Sequence, residues 1–292
     1  MQVSIILVSY NTKDMTRDCL KSIYKYTKDI DFEIFVVDNN SQDGSIEMIE
    51  QEFPQVHLIK NLENKGFGAA NNIAIRRSNA EYIFCLNTDA FLLSNSVKDF
   101  YDFMERKENQ NIGACGCQLL TKDMKPQHSY AKFHTLWGIL ATIFYMHKLL
   151  PKTYRKIFID SINENNDNPY DVDYITGADL FIRRSVIDKC GMYDEDFFMY
   201  SEESEMQYRF KKAGYKSVII PNINIVHYCG LDIKKASLDR MKMFLESDIL
   251  YYKKCHGNFY AFVCKILHLI KFIVTPRFEK RYFDLILLCL QL

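Results

Sequence analysis

The chain predicts an α/β fold, a mostly parallel central sheet flanked by helices, with a helical extension at its C-terminal end. Three observations carry this. Over the first 120 residues, short apolar runs alternate four times with segments of helical period. The runs are continuously apolar rather than alternating, the pattern of strands covered on both faces. Each run ends in small polar residues, and ligands of parallel sheets sit beyond the carboxyl ends of the strands.

Taken in order, the run at 3–9 precedes a helix at 15–26, with Ser9, Tyr10 and Asn11 at the turn. The run at 32–38 precedes a helix at 45–53 through Asp38-Asn39-Asn40-Ser41-Gln42-Asp43-Gly44-Ser45. The run at 56–61 leads through Asn64-Lys65-Gly66-Phe67-Gly68 to a helix at 69–78, and the run at 82–87 leads through Asn87-Thr88-Asp89 to one at 97–106. In a parallel sheet these four polar turns converge. From 121 to 170 the pattern loosens around Trp137, an apolar stretch at 136–145 and a polar run at 163–168, which reads as an excursion or lid. Order returns with a strand at 173–184 that is broken at Gly177-Ala178-Asp179. A short helix, an acidic cluster at 193–205, a helix ending at Gly214 and a strand at 217–220 follow. Residues 238–254 have the period of a long amphipathic helix.

Lys plus Arg and Asp plus Glu both number 37, so no global field draws the chain to nucleic acid, and a charged partner must be held by a local site. The nine cysteines are scattered and mostly lie in apolar runs, as expected of buried thiols in a reducing compartment. The start of the chain has no basic leader and no small-residue cleavage site, so a cytoplasmic protein is expected. Neither apolar segment near the other end, 259–274 or 285–290, reaches the ~20 residues of a membrane span. Lys265, His268 and Lys271 are spaced three apart, on one helical face. That leaves open a helix on a membrane surface, with the protein at the inner face of the cell membrane, and a helix docked on the protein's own core.

The densest chemistry is at 193–205, where Asp194, Glu195, Asp196, Glu202, Glu203 and Glu205 sit among Tyr193, Phe197, Phe198, Met199 and Tyr200. Carboxylates set against apolar surface are places where a general base or a cation site can be built. A helix starting near Glu202 puts Glu205 and Arg209 at i and i+4, in the favourable order for an ion pair, and leaves Glu203 free to point at a substrate. Asp38 and its neighbours can bond the edge of a base, and they equally fit a plain strand-to-helix turn. Gly66 and Gly68 resemble the start of a dinucleotide fingerprint, but Asn71 stands where a third small residue is needed, so a nicotinamide or flavin site is excluded. A loop passing a diphosphate near Lys65 stays open. Asn87 and Asp89 can share Mg²⁺ or Mn²⁺ with diphosphate oxygens, and His227 offers a nitrogen better suited to Mn²⁺.

In this order, the segments 3–11, 36–45, 64–72, 87–89, Gly177-Ala178 and 193–209 resemble family 2 glycosyltransferases of the GT-A (Rossmann-like) fold, especially bacterial rhamnosyltransferases of surface-polysaccharide synthesis. The resemblance runs from about Val3 to His227. It implies a glycosyltransferase domain over 1–230, with a nucleotide-binding half at 1–120 and an acceptor and catalytic half at 121–230, and leaves 231–292 as a helical extension able to meet a membrane. It implies inverting, metal-dependent transfer from a nucleoside diphosphate sugar, dTDP-rhamnose-like or a UDP-sugar, to a saccharide or lipid-linked saccharide acceptor. Ser9, Tyr10, Asn11, Asp38, Asn39, Asn64, Lys65, Gly66, Asn71, Asn87 and Thr88 would then line the donor pocket. Asp89 would hold the metal and the Glu202–Glu203 pair would supply the base. Two positions depart from the family's common pattern: Asn87 fills the first place of the metal motif, and Glu203 stands where Asp is usual. Both departures suit the alternative of a nucleotide-sugar-binding scaffold without catalysis.

Overall fold

In the computed structural model, which describes residues 1–154, 157–158, 167–228, 237–274 and 280–292, the opening alternation becomes β1 (Val3–Ser9), α1 (Lys13–Tyr26), β2 (Phe32–Asp38), α2 (Ser45–Glu52), β3 (His57–Lys60), α3 (Phe67–Arg77) and β4 (Tyr82–Leu86). β1 pairs in parallel with β2 and β4, and β2 with β3. Their continuous apolar runs are explained by two cores. Ile5 and Leu7 pack on one side against Cys19, Leu20 and Ile49 of α1 and α2, whereas Ile6 packs on the other side with Ala70, Ala74 and Ile75 of α3.

The sheet then continues through strands that the sequence hides. β5 (Ala90–Leu92) comes directly after the fourth polar turn, α4 (Ser96–Met104) follows, and β6 (Ile112–Leu120) is buried along its whole length. Gly113, Gly116 and the thiols of Cys115 and Cys117 deprive β6 of an apolar signature, but the small residues are required: a Cβ at Gly116 would lie 2.6 Å from Ile175. The strand expected at 173–184 is divided into β9 (Tyr174–Ile175), paired with β7 (Tyr130–Ala131), and β10 (Asp179–Arg183). β10 runs antiparallel between β4 and β6. β6 lies parallel to β11 (Lys216–His227), which is far longer than the expected 217–220 and also carries β5 and the short β8 (Tyr170–Val172). The order is β3-β2-β1-β4-β10-β6-β11-β5.

The excursion after β7 holds α5 (Leu136–Ile143), α6 (Met146–Leu149) and α7 (Pro151–Tyr154), and the polar run expected at 163–168 falls largely outside the described residues. α8 (Arg184–Cys190) and α9 (Glu202–Lys212) cover the α3 side of the sheet. The chain closes with α10 (Leu238–His256), α11 (Asn258–Val274) and α12 (Lys280–Gln291). Tyr251, Tyr252 and Cys264 of α10 and α11 form a core with Phe197 and Leu136, and Leu245, Phe272 and Leu285 form another. Two of the three basic residues of α11 face inward: His268 is buried against α10 and Lys271 lines a cavity. Among the described residues no helix is long and apolar enough to cross a membrane.

Candidate functional site

At the carboxyl ends of β1 to β4 the four polar turns do meet. Asn11 takes a left-handed conformation (φ 53°), which Asn tolerates better than most residues. Its N–H donates to Ser41 Oγ at 2.9 Å and its Oδ1 accepts from the Gln42 N–H at 2.8 Å, which laces the first turn to the second. Asp38 is fully buried. Its Oδ1 accepts from the Ser41 N–H at 2.8 Å, whereas Oδ2 has no donor among the described residues. Asn39 Nδ2 donates to the Gly66 carbonyl at 3.1 Å, and its Oδ1 accepts from Asn61 Nδ2 at 2.7 Å. Thr88 Oγ1 donates to Thr12 Oγ1 at 3.2 Å, which ties in the fourth turn.

The third turn is closed against the acidic cluster. Gly66 has φ 83°, and a Cβ there would stand 2.1 Å from the Phe198 carbonyl, which also accepts from the Phe67 N–H. Only glycine fits. Asn64 Oδ1 accepts from the Gly66 N–H at 2.9 Å. Asn71 Nδ2 donates to the Phe67 carbonyl, and its buried Oδ1 has no partner among the described residues. Tyr10 and Lys65 are exposed at the rim. The Ser9 hydroxyl is buried at the start of α1, 3.4 Å from the hydroxyls of Thr12 and Thr16.

Antiparallel pairing of β5 with the end of β11 sets Ala90 opposite His227 and so brings Asp89 to that imidazole. His227 Nε2 lies 3.1 Å from Asp89 Oδ1, and Asn87 Nδ2 lies 3.5 Å from the same nitrogen. A hard cation with bonds of about 2.1 Å holds adjacent ligands about 3 Å apart, so these two atoms fit neighbouring corners of a Mg²⁺ or Mn²⁺ shell. Close by, Asp179 is fully buried, with Oδ2 accepting from the Cys117 N–H at 2.6 Å and Oδ1 without a partner among the described residues. Burial pushes its carboxyl up to about 7, against the pull of the Cys117 N–H and of His227. In the sequence Asp179 shows only as part of a strand break.

The six carboxylates of the acidic cluster separate by their partners. Asp194 and Asp196 pair with Lys254, Glu195 with Arg76, and Glu205 with Arg209 in a bidentate contact of 2.8 and 2.9 Å. Arg209 also donates to the carbonyls of Cys190, Gly191 and Met192 at the end of α8. Glu202 and Glu203 form no salt bridge with Lys or Arg among the described residues. Both follow Tyr200 and Ser201, two left-handed residues (φ 74° and 65°) that turn the chain sharply into α9. Burial, and then the charge of Glu203, hold the Glu202 carboxyl well above the usual range; burial also raises Glu203. Glu203 faces a cavity of about 1620 Å³ whose inner end also carries His134 and Asp248 and whose outer part is lined by Trp137 and Phe144. His134 and Asp248 form no sequence motif, being 114 residues apart, and only the fold brings them together.

Residues 4–191 match the family model for glycosyl transferase family 2. The chain is 26% identical, over 67% of its own length and 66% of the relative's, to an N-acetylglucosaminyl-diphospho-decaprenol L-rhamnosyltransferase of Mycobacterium tuberculosis. It is 34% identical, over 38% of its length, to a poly(ribitol-phosphate) β-glucosyltransferase of Bacillus spizizenii, of which it spans only 18%. Among solved structures it is similar to the mannosyltransferase PcManGT of Pyrobaculum calidifontis in complex with GDP-Man and Mn²⁺, at 13% identity and a TM-score of 0.57 over 99% of this chain and 84% of that one. The fold shared with that neighbour is GT-A.

Proposed function

Because the chain belongs to glycosyl transferase family 2, we propose that it transfers one sugar, with inversion, from a nucleoside diphosphate sugar to an acceptor hydroxyl in the synthesis of a cell-surface polysaccharide. The observation that carries this reading is the carboxylate pair of the acidic cluster that no Lys or Arg among the described residues bridges, with Glu203 facing the cavity. In a single displacement the acceptor hydroxyl attacks the anomeric carbon while Glu203 takes its proton, and the nucleoside diphosphate departs from the opposite side. Asp38 Oδ2 and Asn71 Oδ1, buried without partners among the described residues, would accept from the nucleotide. Asp89 and His227, with Asn87 beside them, would hold Mg²⁺ or Mn²⁺. That cation supplies positive charge to the departing diphosphate when bound.

The acceptor fits a lipid-linked saccharide. The cavity runs from the carboxylate of Glu203 to apolar side chains at the surface, and the mycobacterial relative is named for a decaprenol-linked substrate. A rhamnosyl donor agrees with the same relative. The test is release of UDP or dTDP from the corresponding sugar nucleotides in the presence of acceptor and Mn²⁺. Glu203→Gln keeps size and hydrogen bonding but cannot take the proton, so turnover should fall by roughly 10²–10⁴-fold while donor binding holds. Glu205→Gln, which touches only the Arg209 pair, should keep its rate. A protein that binds the nucleotide in calorimetry and never turns over would be the scaffold instead.

A further inference from the structure

Asp248 of α10 is bonded by imidazoles from two other parts of the chain. His134, in the segment between β7 and α5, has Nδ1 2.6 Å from Oδ1, and His268 of α11 has Nε2 2.7 Å from Oδ2. Cys264, one turn before His268, places Sγ 3.8 Å from Oδ2. A carboxylate whose side chain is only 17% exposed is costly unless its oxygens are paired, and two imidazole N–H donors pair both. Burial alone would raise the Asp248 carboxyl, but the two imidazole bonds outweigh it and hold the group below its usual range. For His134 the order is the same: burial alone would lower it, but the bond and charge of Asp248, with the charge of Glu203, leave it raised. His134 and Glu203 line one cavity, and nothing in the displacement chemistry above uses His134.

We propose that His134, clamped by Asp248, is a positioning residue for Glu203: it presents a fixed imidazolium across the cavity and keeps the carboxylate charged where the acceptor hydroxyl must lie. The need is evident from the surroundings. Burial, the first influence on Glu203, favours its neutral form, and the opposing influences are its own backbone N–H and His134. Of the charged groups on the described residues, His134 is the one that acts on it this way, although Lys132 and Lys271 also line the cavity. Glu202 on α9 is an acid, Tyr174 of β9 and Tyr193 have hydroxyls raised by burial, and Asp173 is committed to Lys211. On the far side of Asp248, His268 and Cys264 complete the cluster, and Lys271 of α11 lines the same cavity. Asp248 therefore acts at one remove, as the anchor that holds His134 in place and charged.

The inference rests on Glu203 being the base, and the experiment separates the two. With the full chain labelled at Glu Cδ and His Cε1, carboxyl and imidazole titrations are followed by NMR, and the Glu203 and His134 signals are assigned by their loss in Glu203→Gln and His134→Gln. In the wild type His134 should stay protonated above the ordinary histidine midpoint of about 6.5. In His134→Gln the Glu203 midpoint should rise by about one pH unit, the scale of losing a nearby opposite charge, and in Asp248→Asn, which removes an acid together with the clamp, the His134 midpoint should fall. His134→Lys, which keeps a cation, should hold the Glu203 midpoint near wild type. A wild-type His134 that titrates at or below 6.5, or a Glu203 midpoint unmoved in a folded His134→Gln, would overturn the proposal. One equivalent of zinc in the purified protein, lost in Asp248→Asn, would overturn it too, because Asp248, Cys264 and His268 would then be metal ligands. Normal turnover by Glu203→Gln together with a shifted midpoint would instead discard the base and keep the charge pair.

Discussion

Asp179 shows how a side chain's environment can be illegible in sequence and decisive in the fold. Nothing about a lone Asp after Gly177-Ala178 announces a fully buried carboxyl, since the strands that flank it, β4 and β6, include one hidden by glycines and thiols. With its carboxyl pushed up to about 7, Asp179 binds a proton more tightly folded than unfolded. The stability it contributes is present below pH 4 and is lost as pH rises through 7. Asp179→Asn should therefore be more stable than wild type at pH 8, on the order of 1–3 kcal/mol, and should lose that advantage by pH 4.5. Urea denaturation at both values measures it; parallel pH dependences in the two proteins would show that Asp179 is ionised throughout. The acidic cluster is the opposite case. Helical spacing alone separated Glu205, bound to Arg209, from Glu203, because i,i+4 geometry is local. The commitments of Asp194, Glu195 and Asp196 to Lys254 and Arg76 are tertiary and could not be read.

Elements were legible where the apolar period was strong, as in β1, β2 and β4 and the helices between them, and were lost where small or polar residues did the packing. α11 shows a second limit, because periodicity gives a face and not its direction. Its basic spacing suggested cations presented to a surface, whereas His268 is buried against α10, and Phe259, Phe262, Ile266, Ile270 and Ile273 point outward. Phe259 is 74% exposed. Phe283, Leu287 and Leu290 continue this apolar face on α12, and Trp137, 73% exposed, stands on α5 at the cavity. Apolar surface on this scale, with the polar side of the helix satisfied internally, suits insertion at the boundary of headgroup and acyl chain. The full chain should float with lipid vesicles, and Phe259→Ser combined with Phe262→Ser and Ile266→Ser should sink without loss of thermal stability. Truncation after Gly257 is the poorer experiment, since it removes Cys264 and Phe272 from two cores. If the triple variant floats as well as wild type, the face has another role.

At the scale of the whole molecule, the crevice at the carboxyl ends of β1 to β4, proposed for the donor, and the Glu203 cavity, proposed for the acceptor, share one wall, the segment from Phe198 to Glu203. On one side the Phe198 carbonyl seats Gly66 and accepts from Phe67; on the other Glu203 opens into the cavity. A nucleotide bound at the carboxyl ends of β1 to β4 would thus press on the segment that carries the proposed base, and its diphosphate is expected at Asp89 and His227, where β5 closes on β11. Binding there should stabilise the folded chain by mass action, about 2.7 kcal/mol at a hundredfold excess over Kd. For a chain of this size that is a rise of several degrees in Tm. The rise with UDP or dTDP should be large in Mn²⁺ and small in EDTA. Asp89→Ala should abolish the metal-dependent part, because it deletes the one charged ligand, while Asn87→Ala should only weaken it, since a neutral amide attracts a cation less. The metal-free Tm of Asp89→Ala serves as the control, because losing the His227 contact costs some stability by itself. An equal rise for wild type in Mn²⁺ and in EDTA would mean that the nucleotide binds without a cation, and Asp89 with His227 would then be no more than a structural pair.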